Sequence, residues 1–422
     1  ESLSPIQITL NGWFGVSNII KPTLWIVTEL FYPDQTSTSY ILSKIADKMS
    51  QKYKVNVITT SDLYQDNSGT TPFFTINEEI HIIRVASNKL DKNKLGQRLL
   101  RMIRLTDLLF NELKKRIKKN DKLLIPTNPA PLLLKCAKLK KEIDFEFSIL
   151  VHDVFPENTI PAGILSSKES LIFKYLSQIF NKGYSRADKL IVLGRDMKDV
   201  VSNKLHNNRH PSITIIENWG DVEMIRPSEE IKEKLKERHQ KGQITIQYAG
   251  NIGRVQGLDF FIDIIFEAKN EKVCFDLYGE GALKKKIEQK VKDLVLNKQI
   301  HFFGSYSRNN QNEILNNTDI ALVTLAEGMC GLGVPSKTYN ILAAGKPILF
   351  IGDTKSEIGR LVKEENIGFV FETKEQKKIQ DFLSGINSTC FSELSEMGKN
   401  ARLLAEEKFS EDVILDKFLH TI

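Results

Sequence analysis

Residues 24–60 read LWIVTELFYPDQTSTSYILSKIADKMSQKYKVNVITT. The run from Leu24 to Leu30 has the continuous apolar character of a buried strand, and Phe31-Tyr32-Pro33-Asp34 breaks it. From Ser39 onward Ile41, Leu42, Ile45, Ala46 and Met49 recur at helical spacing. Residues 54–60 then form the next strand. Strand, helix and strand in so short a span make a βαβ unit. Such a unit requires a parallel sheet, because the helix returns the chain to begin the second strand in the same direction.

The pattern repeats outward from there. Strands are predicted near 80–85, 122–126, 147–152, 189–193 and 213–217, with helices near 98–118, 131–142, 168–183 and 195–204. A second series follows Asn218-Trp219-Gly220-Asp221. Its strands are predicted at 244–249, 273–278, 300–303, 320–324, 347–351 and 368–371. Its helices are predicted near 258–269, 282–296, 309–317, 337–344, 355–365 and 374–384. Two βα series in succession predict an α/β protein of two doubly wound domains. The expected division is residues 1–217 and 218–409, with 217–227 as linker and a last helix at 410–422. Residues 1–20 fit neither series. Ile414, Leu415, Phe418 and Leu419 give the last helix an apolar stripe, so it is expected to cross back onto the first domain.

Composition narrows the class. The chain has 422 residues, 41% of them apolar and 27% charged, which is a core-forming composition and excludes a disordered chain. No apolar run approaches the length of a bilayer-spanning helix, and the N-terminus shows no basic segment followed by an apolar one. The four cysteines have no C-x-x-C spacing, which supports neither a zinc site nor a disulfide framework. A cytoplasmic protein, or one held at a membrane from the cytoplasmic side, is expected. Residues 1–212 carry 31 Lys and Arg against 21 Asp and Glu, whereas the remainder carries 28 against 32. A basic half attracts nucleic acid, anionic lipid or a phosphorylated substrate, and charge alone does not choose among them.

Four segments have chemical potential. The first is Tyr248 to Leu258, YAGNIGRVQGL, which leaves a strand and enters a helix. Gly250, Asn251 and Gly253 let backbone N–H groups approach an anion, and Arg254 adds a charge-assisted contact. The same glycines also suit a plain βα turn. The second is residues 328–347, GMCGLGVPSKTYNILAAGKP, where Ser336 is expected to cap a helix and Lys337 stands in its first turn. A cation there opposes the helix dipole, which a bound anion would explain, while a solvated lysine is the alternative. The third is Val151 to Glu157, VHDVFPE, at the carboxyl end of a strand. There His152 and Asp153 suit sugar hydroxyls or acid–base work, or a plain turn. The fourth is the basic stretch 89–119, whose interleaved apolar residues suit either an anionic lipid surface or a helix packed on its own domain. No P-loop, no nucleophile elbow and no metal-ligand spacing of histidines is present.

In this order the blocks resemble glycosyltransferase family 4, whose GT-B fold sets two Rossmann-like domains face to face. The similarity is to the bacterial surface-polysaccharide branch typified by N-acetylfucosaminyltransferases of O-antigen and capsule synthesis. It rests on ELFYPDQTSTSYILSKIA (29–46), VHDVFPE (151–157), ADKLIVLGRDMKD (187–199), IENWGD (216–221), YAGNIGRVQGLD (248–259), LYGEGALKKKIE (277–288), HFFGSYSR (301–308) and GVPSKTYNILAAGKPIL (333–349).

The resemblance implies a retaining, metal-independent transferase without a cofactor, whose donor is a nucleoside-diphosphate sugar, UDP-linked. The second domain would hold the donor. The first would hold a lipid-linked saccharide acceptor at the inner face of the membrane, and nucleic acid is no partner. Carried over, Arg254 and Lys337 contact the diphosphate and His152 orients sugar hydroxyls. Gly250, Asn251, Gly253, Gly279, Glu280, Tyr306, Gly333 and Ser336 line the donor site. Asn340 stands near the ribose, where many members have the second glutamate of E-x7-E, and Leu332 aligns with the first. The chain therefore lacks both carboxylates. Thr36-Ser37-Thr38-Ser39 replaces the usual glycines after the first strand. A GT-B sugar-nucleotide 2-epimerase, a non-catalytic GT-B partner subunit and a nucleic-acid-binding protein remain as alternatives. The first would need cleft carboxylates, and the last would need more aromatics in 89–119 than Phe110.

Overall fold

The computed structural model describes residues 21–34, 36–61, 74–86, 95–205, 211–253 and 256–422, and the side chains of all of these except 95–98 and 231–234. Residues 1–20, which fit neither series in the sequence, lie outside the described residues.

The first sheet contains β1 (Thr23–Val27), β2 (Lys54–Thr60), β3 (His81–Val85), β4 (Lys122–Pro126), β5 (Glu146–Val151), β6 (Lys189–Val192) and β7 (Ser212–Ile215). All neighbours are parallel, in the order β3-β2-β1-β4-β5-β6-β7. The helices are α1 (Ser37–Met49), α2 (Leu95–Lys114), α3 (Ala130–Leu139), α4 (Leu171–Tyr184) and α5 (Arg195–Lys204). The second sheet contains β8 (Ile244–Ala249), β9 (Val273–Tyr278), β10 (Ile300–Phe303), β11 (Ile320–Thr324), β12 (Ile348–Ile351) and β13 (Gly368–Phe371). It too is parallel, in the order β10-β9-β8-β11-β12-β13. Its helices are α6 (Glu229–Gln240), α7 (Leu258–Ala268), α8 (Lys284–Asp293), α9 (Gln311–Asn316), α10 (Lys337–Ala343), α11 (Glu357–Glu364), α12 (Gln376–Gly385), α13 (Phe391–Glu407) and α14 (Glu411–Thr421).

Both sheets are covered on both faces, so their central strands are apolar without alternation. Every residue of β8, β9 and β11 is buried. In each sheet the chain winds one way for three strands and then returns beside the first. The reversal falls between β1 and β4 in one sheet and between β8 and β11 in the other. Loops leaving adjacent strands in opposite directions open a crevice, and ligands of open α/β sheets bind there.

Two helices escaped the sequence reading. Residues 229–240 carry only Ile231 and Leu235 as apolar residues, so α6 shows almost no stripe. Residues 391–407 do carry one, since Leu394, Met397, Ala401, Leu404 and Ala405 are buried at helical spacing. This helix packs on α10 so closely that a Cβ on Gly398 would stand 2.5 Å from the Gly345 carbonyl oxygen.

The last helix lies against α1. Ile414, Leu415 and Phe418 are buried, and Lys44 and Lys48 of α1 pair with Glu411 and Asp416 at 2.8 and 2.6 Å. The Lys122 and Lys189 ammoniums donate to the carbonyls of Ile422 and Thr421. The two chain crossings run side by side. Gly220 bridges Ser410, and its N–H donates to the Phe409 carbonyl at 2.9 Å. Phe418→Ala removes a fully buried ring, and about 3–5 kcal/mol of stability is expected to go with it. A chemical denaturation midpoint close to wild type would show that α14 adds nothing.

Candidate active site between the two sheets

The loops that follow β8, β9 and β10 are knitted together by backbone hydrogen bonds. The Gly250 N–H donates to the Tyr278 carbonyl at 2.9 Å, the Ile252 N–H to Glu280 at 2.9 Å, and the Gly279 N–H to Gly304 at 3.1 Å. This approach depends on glycine. Gly279 has φ +136°, and a Cβ there would lie 1.9 Å from the Gly250 carbonyl oxygen. Asn251 presents its side chain to solvent, while its carbonyl accepts the Tyr248 hydroxyl at 2.7 Å. Arg254 and Val255 lie outside the described residues, so the guanidinium expected at a diphosphate has no position here. Glu280 is exposed and pairs with Lys284 at 2.6 Å. Tyr306 stands edge-on to Tyr278 at 6.5 Å, and Tyr278 stacks on Phe303 at 4.4 Å.

Across the switch point, residues 325–336 lead from β11 into α10. Lys337 is the first residue of that helix, and its ammonium rests 3.4 Å from the centroid of the Tyr248 ring. It is buried and makes no hydrogen bond to any described residue. Burial pulls its pKa down to about 7. The glycine turn and the lysine, 83 residues beyond Arg254 in sequence, thus face one another. Ser336 does not cap the helix as expected. Its φ of −61° and ψ of −26° are already helical, which keeps its hydroxyl away from the free N–H groups of the first turn. Asn340, one turn on, accepts the N–H of the linker residue Asp221 at 3.1 Å through its carboxamide oxygen.

The first domain meets this loop directly. Asp153 forms an antiparallel bridge with Gly333, and the Val154 N–H donates to the Leu332 carbonyl at 3.0 Å. Leu332 is buried in that contact. The N–H groups of His152 and Asp153 both donate to the Thr127 hydroxyl at 3.2 Å. His152 Nε2 is buried without a hydrogen-bond partner among the described residues. Burial depresses the ring's pKa to about 4, so it is neutral at physiological pH. A neutral imidazole with one free nitrogen can hydrogen-bond a hydroxyl. Glu157 is occupied elsewhere, holding the buried Lys204 ammonium at 2.5 and 2.7 Å. Of the hydroxyls after β1, Thr36 is spent on capping α1, accepting the Ser39 N–H at 3.3 Å.

Residues 229–403 match the family described as Glycosyl transferases group 1. Over 399 residues the chain is 34% identical to Probable glycosyltransferase WbjE of Pseudomonas aeruginosa, covering 94% of this chain and 96% of the relative. This chain is a group 1 glycosyltransferase. It is also similar to WcaI of Escherichia coli strain K12, named as a glycosyl transferase of colanic acid biosynthesis. That identity is 27% over 177 residues, 42% of each chain. Among solved structures, Anabaena HepE in complex with UDP superposes with a TM-score of 0.68 at 14% identity. The match covers 94% of this chain and 99% of that one. The architecture is GT-B, as the sequence blocks imply.

Three features of the glycosyltransferase site were missed in the sequence. Arg195 at the start of α5 grips Glu357 with two nitrogens and reaches Glu364, while the Asp196 carboxylate accepts the Gly331 N–H at 2.9 Å. These contacts clasp the two domains beside the cleft. Arg308 places its guanidinium 3.8 Å over the Tyr40 ring, and Tyr40 donates to Glu411 at 2.8 Å. Tyr248 is the third. Each was inside a quoted block, but its partner is more than 80 residues away, and only the fold pairs them.

Proposed function

We propose that this glycosyltransferase moves a sugar from a nucleoside-diphosphate sugar, a UDP-sugar, to a lipid-linked saccharide acceptor with retention at the anomeric carbon. The observation that carries the reading is the buried, unpaired Lys337 ammonium opposite a glycine turn at a switch point. Such a cation is costly unless an anion arrives. HepE, of the same fold and solved in complex with UDP and with UDP-glucose, supports a UDP-sugar as the donor. The pathway named for WcaI supports a polysaccharide product.

In the reaction the bond from the anomeric carbon to the diphosphate oxygen breaks and a bond to the acceptor oxygen forms. The acceptor proton passes to the departing diphosphate, so no protein base is required. Negative charge on the diphosphate peaks as the bond loosens. Lys337, Arg254 and those N–H groups of the Gly250 to Gly253 turn that are not spent on the Tyr278 and Glu280 carbonyls bind that charge most strongly at the peak, which is what accelerates the step. Neutral His152 holds a sugar hydroxyl. Side chains supply the positive charge, and no group of metal-ligating residues is found among the described residues. A panel of UDP-, GDP- and dTDP-sugars, each run with Mg²⁺ and again with EDTA, tests the proposal. Turnover of a UDP-sugar is the expected result. Turnover of none of them refutes the donor class, and turnover abolished by EDTA and restored by Mg²⁺ refutes metal independence.

The acceptor side of the proposal needs a membrane surface, and no helix among the described residues is long and apolar enough to cross one. Helices α2 and α4 lie on one face of the first sheet, and both begin at the carboxyl edge of its strands, near the cleft. Their N-terminal halves expose Leu99, Leu100 and Ile103, and Leu171, Ile172 and Tyr175, the last three by 63–84%. Arg104, Lys168 and Lys174 are exposed beside them. A basic helix docked on anionic lipid is expected to expose Arg98, Arg101 and Arg104 on the cleft-mouth side, but Arg101 turns inward to Glu29. Lys89, Lys92 and Lys94 lie outside the described residues, as does the Arg98 side chain. Insertion of apolar side chains thus joins the electrostatic attraction, at about 1 kcal/mol per cation near an anionic surface. Co-sedimentation with anionic vesicles is expected, weakened by salt and by a Leu171→Asp, Ile172→Asp double change. Equal binding to neutral vesicles, or none to either, refutes it.

A further inference from the structure

Tyr248 is the last residue but one of β8, a central strand of the second sheet, and is almost fully buried. Two of its atoms groups are engaged at once. The ring face carries the Lys337 ammonium at 3.4 Å, and the hydroxyl donates to the Asn251 carbonyl at 2.7 Å. One side chain therefore touches both halves of the cradle, the cation on α10 and the turn after β8. Burial, with Tyr306 adding to it, raises the phenol's pKa, so the ring stays neutral and keeps its π face.

Among the described residues no carboxylate forms an ion pair with the ammonium, and burial alone accounts for its lowered pKa. From β8 it meets Tyr248, and from its own helix the uncharged Asn340 stands one turn away. The loop paired with Gly333 brings His152 and Asp153 to the same cleft, and Arg254, next after Gly253 in sequence, lies outside the described residues. An ammonium paired with a carboxylate would have to break that bond to take a diphosphate. An ammonium on a ring face does not, because its N–H groups remain free to point away from the ring.

We infer that Tyr248 is a positioning residue for donor binding: its ring holds the Lys337 ammonium charged and aimed at the diphosphate, without a competing anion. The inference rests on the donor-site reading above. Its distinctive consequence is in the pH dependence. Burial holds the free amine's pKa near 7. The ring favours the charged form, and a bound diphosphate favours it more. Binding above neutral pH therefore takes up a proton. Removing the ring but keeping an apolar side chain leaves the burial and loses the attraction, which lowers the free amine's pKa further.

The test is UDP affinity by titration calorimetry, from pH about 5.5 to 8.5, for wild type, Tyr248→Phe, Tyr248→Leu and Lys337→Arg. Ionisation of UDP itself is common to all four and cancels in the ratio to wild type. Tyr248→Phe keeps the ring and is expected to follow the wild-type profile, with at most a small uniform loss from the missing hydroxyl. Tyr248→Leu is expected to bind about tenfold more weakly than wild type near pH 8 and almost equally near pH 5.5, the signature of a shift of about one unit. Lys337→Arg, which cannot lose its proton in this range, is expected to gain on wild type as pH rises through about 7. A Leu variant that loses affinity equally at every pH, or not at all, overturns the inference and leaves Tyr248 a packing residue. Tyr248→Met is the second ringless variant if the first does not fold.

If wild type binds no UDP at any pH, the donor reading fails instead. The positioning of Lys337 is then decided directly, on protein labelled with ¹³C-lysine and with the resonance assigned by its loss in Lys337→Arg. A resonance that titrates about one unit lower in Tyr248→Leu sustains the pairing. An unchanged midpoint overturns it.

Discussion

Lys337→Ala lowers the rate of sugar transfer by about 10²-fold or more, with the larger part of the loss in kcat. The reason is where the charge goes. In the ground state of the proposed reaction the diphosphate is already anionic and would be shared by backbone N–H groups and Lys337. As the sugar–phosphate bond loosens, a further negative charge settles on the leaving oxygen. A contact that strengthens at that moment contributes to kcat, and its loss is not made good by saturating donor. Arg254→Ala carries the same expectation from its place in the glycine turn. Lys337→Arg restores a charge but not a point ammonium in a slot 3.4 Å above a ring, so partial recovery is expected. For the free enzyme, kcat/KM falls as pH rises through about 7, because the amine that binds the diphosphate is losing its proton. Near-wild-type kcat/KM in both alanine variants, measured with the donor found in the nucleotide-sugar panel, removes Lys337 and Arg254 from the reaction.

How far the sequence could be read depended on whether a feature is local. Strands at 54–60, 122–126, 244–249, 273–278, 300–303, 320–324 and 368–371 stand as the sequence predicts, and the central ones at 244–249, 273–278 and 320–324 are buried along their whole length. The glycine turn and the Pro-Ser-Lys helix start were each visible as segments. Their meeting was not, since Tyr248 and Lys337 are brought together by β11 pairing beside β8. The capping role given to Ser336 failed for a related reason. A serine before a helix signals a cap only if its own backbone is extended, as Thr36 and Ser356 are and Ser336 is not. Arg101 belongs to the basic stretch 89–119, yet Glu29, at the end of a strand 72 residues earlier, draws it inward. Charge runs show in sequence which residues are cationic, and the fold determines which of them are already paired.

The turn itself carries the other large effect. Gly279→Ala is expected to lower stability by about 2–4 kcal/mol and to weaken UDP binding beyond detection by calorimetry. Two costs fall on one methyl group. The backbone at φ +136° lies where side chains other than glycine are strained, and the new Cβ would sit 1.9 Å from the Gly250 carbonyl oxygen. That oxygen belongs to backbone, so no side-chain rotation relieves the overlap. The loops after β8 and β9 must part, breaking the bond from the Gly250 N–H to the Tyr278 carbonyl and moving the N–H groups offered to the diphosphate. Gly304→Ala is the control on the adjoining turn, where a Cβ meets nothing within 4 Å. It is expected to melt and bind as wild type. Thermal unfolding and UDP titration of the two variants side by side decide the matter. A Gly279→Ala protein that melts within a degree or so of Gly304→Ala and binds UDP equally well would show that the loops are not held together in the enzyme that binds its donor.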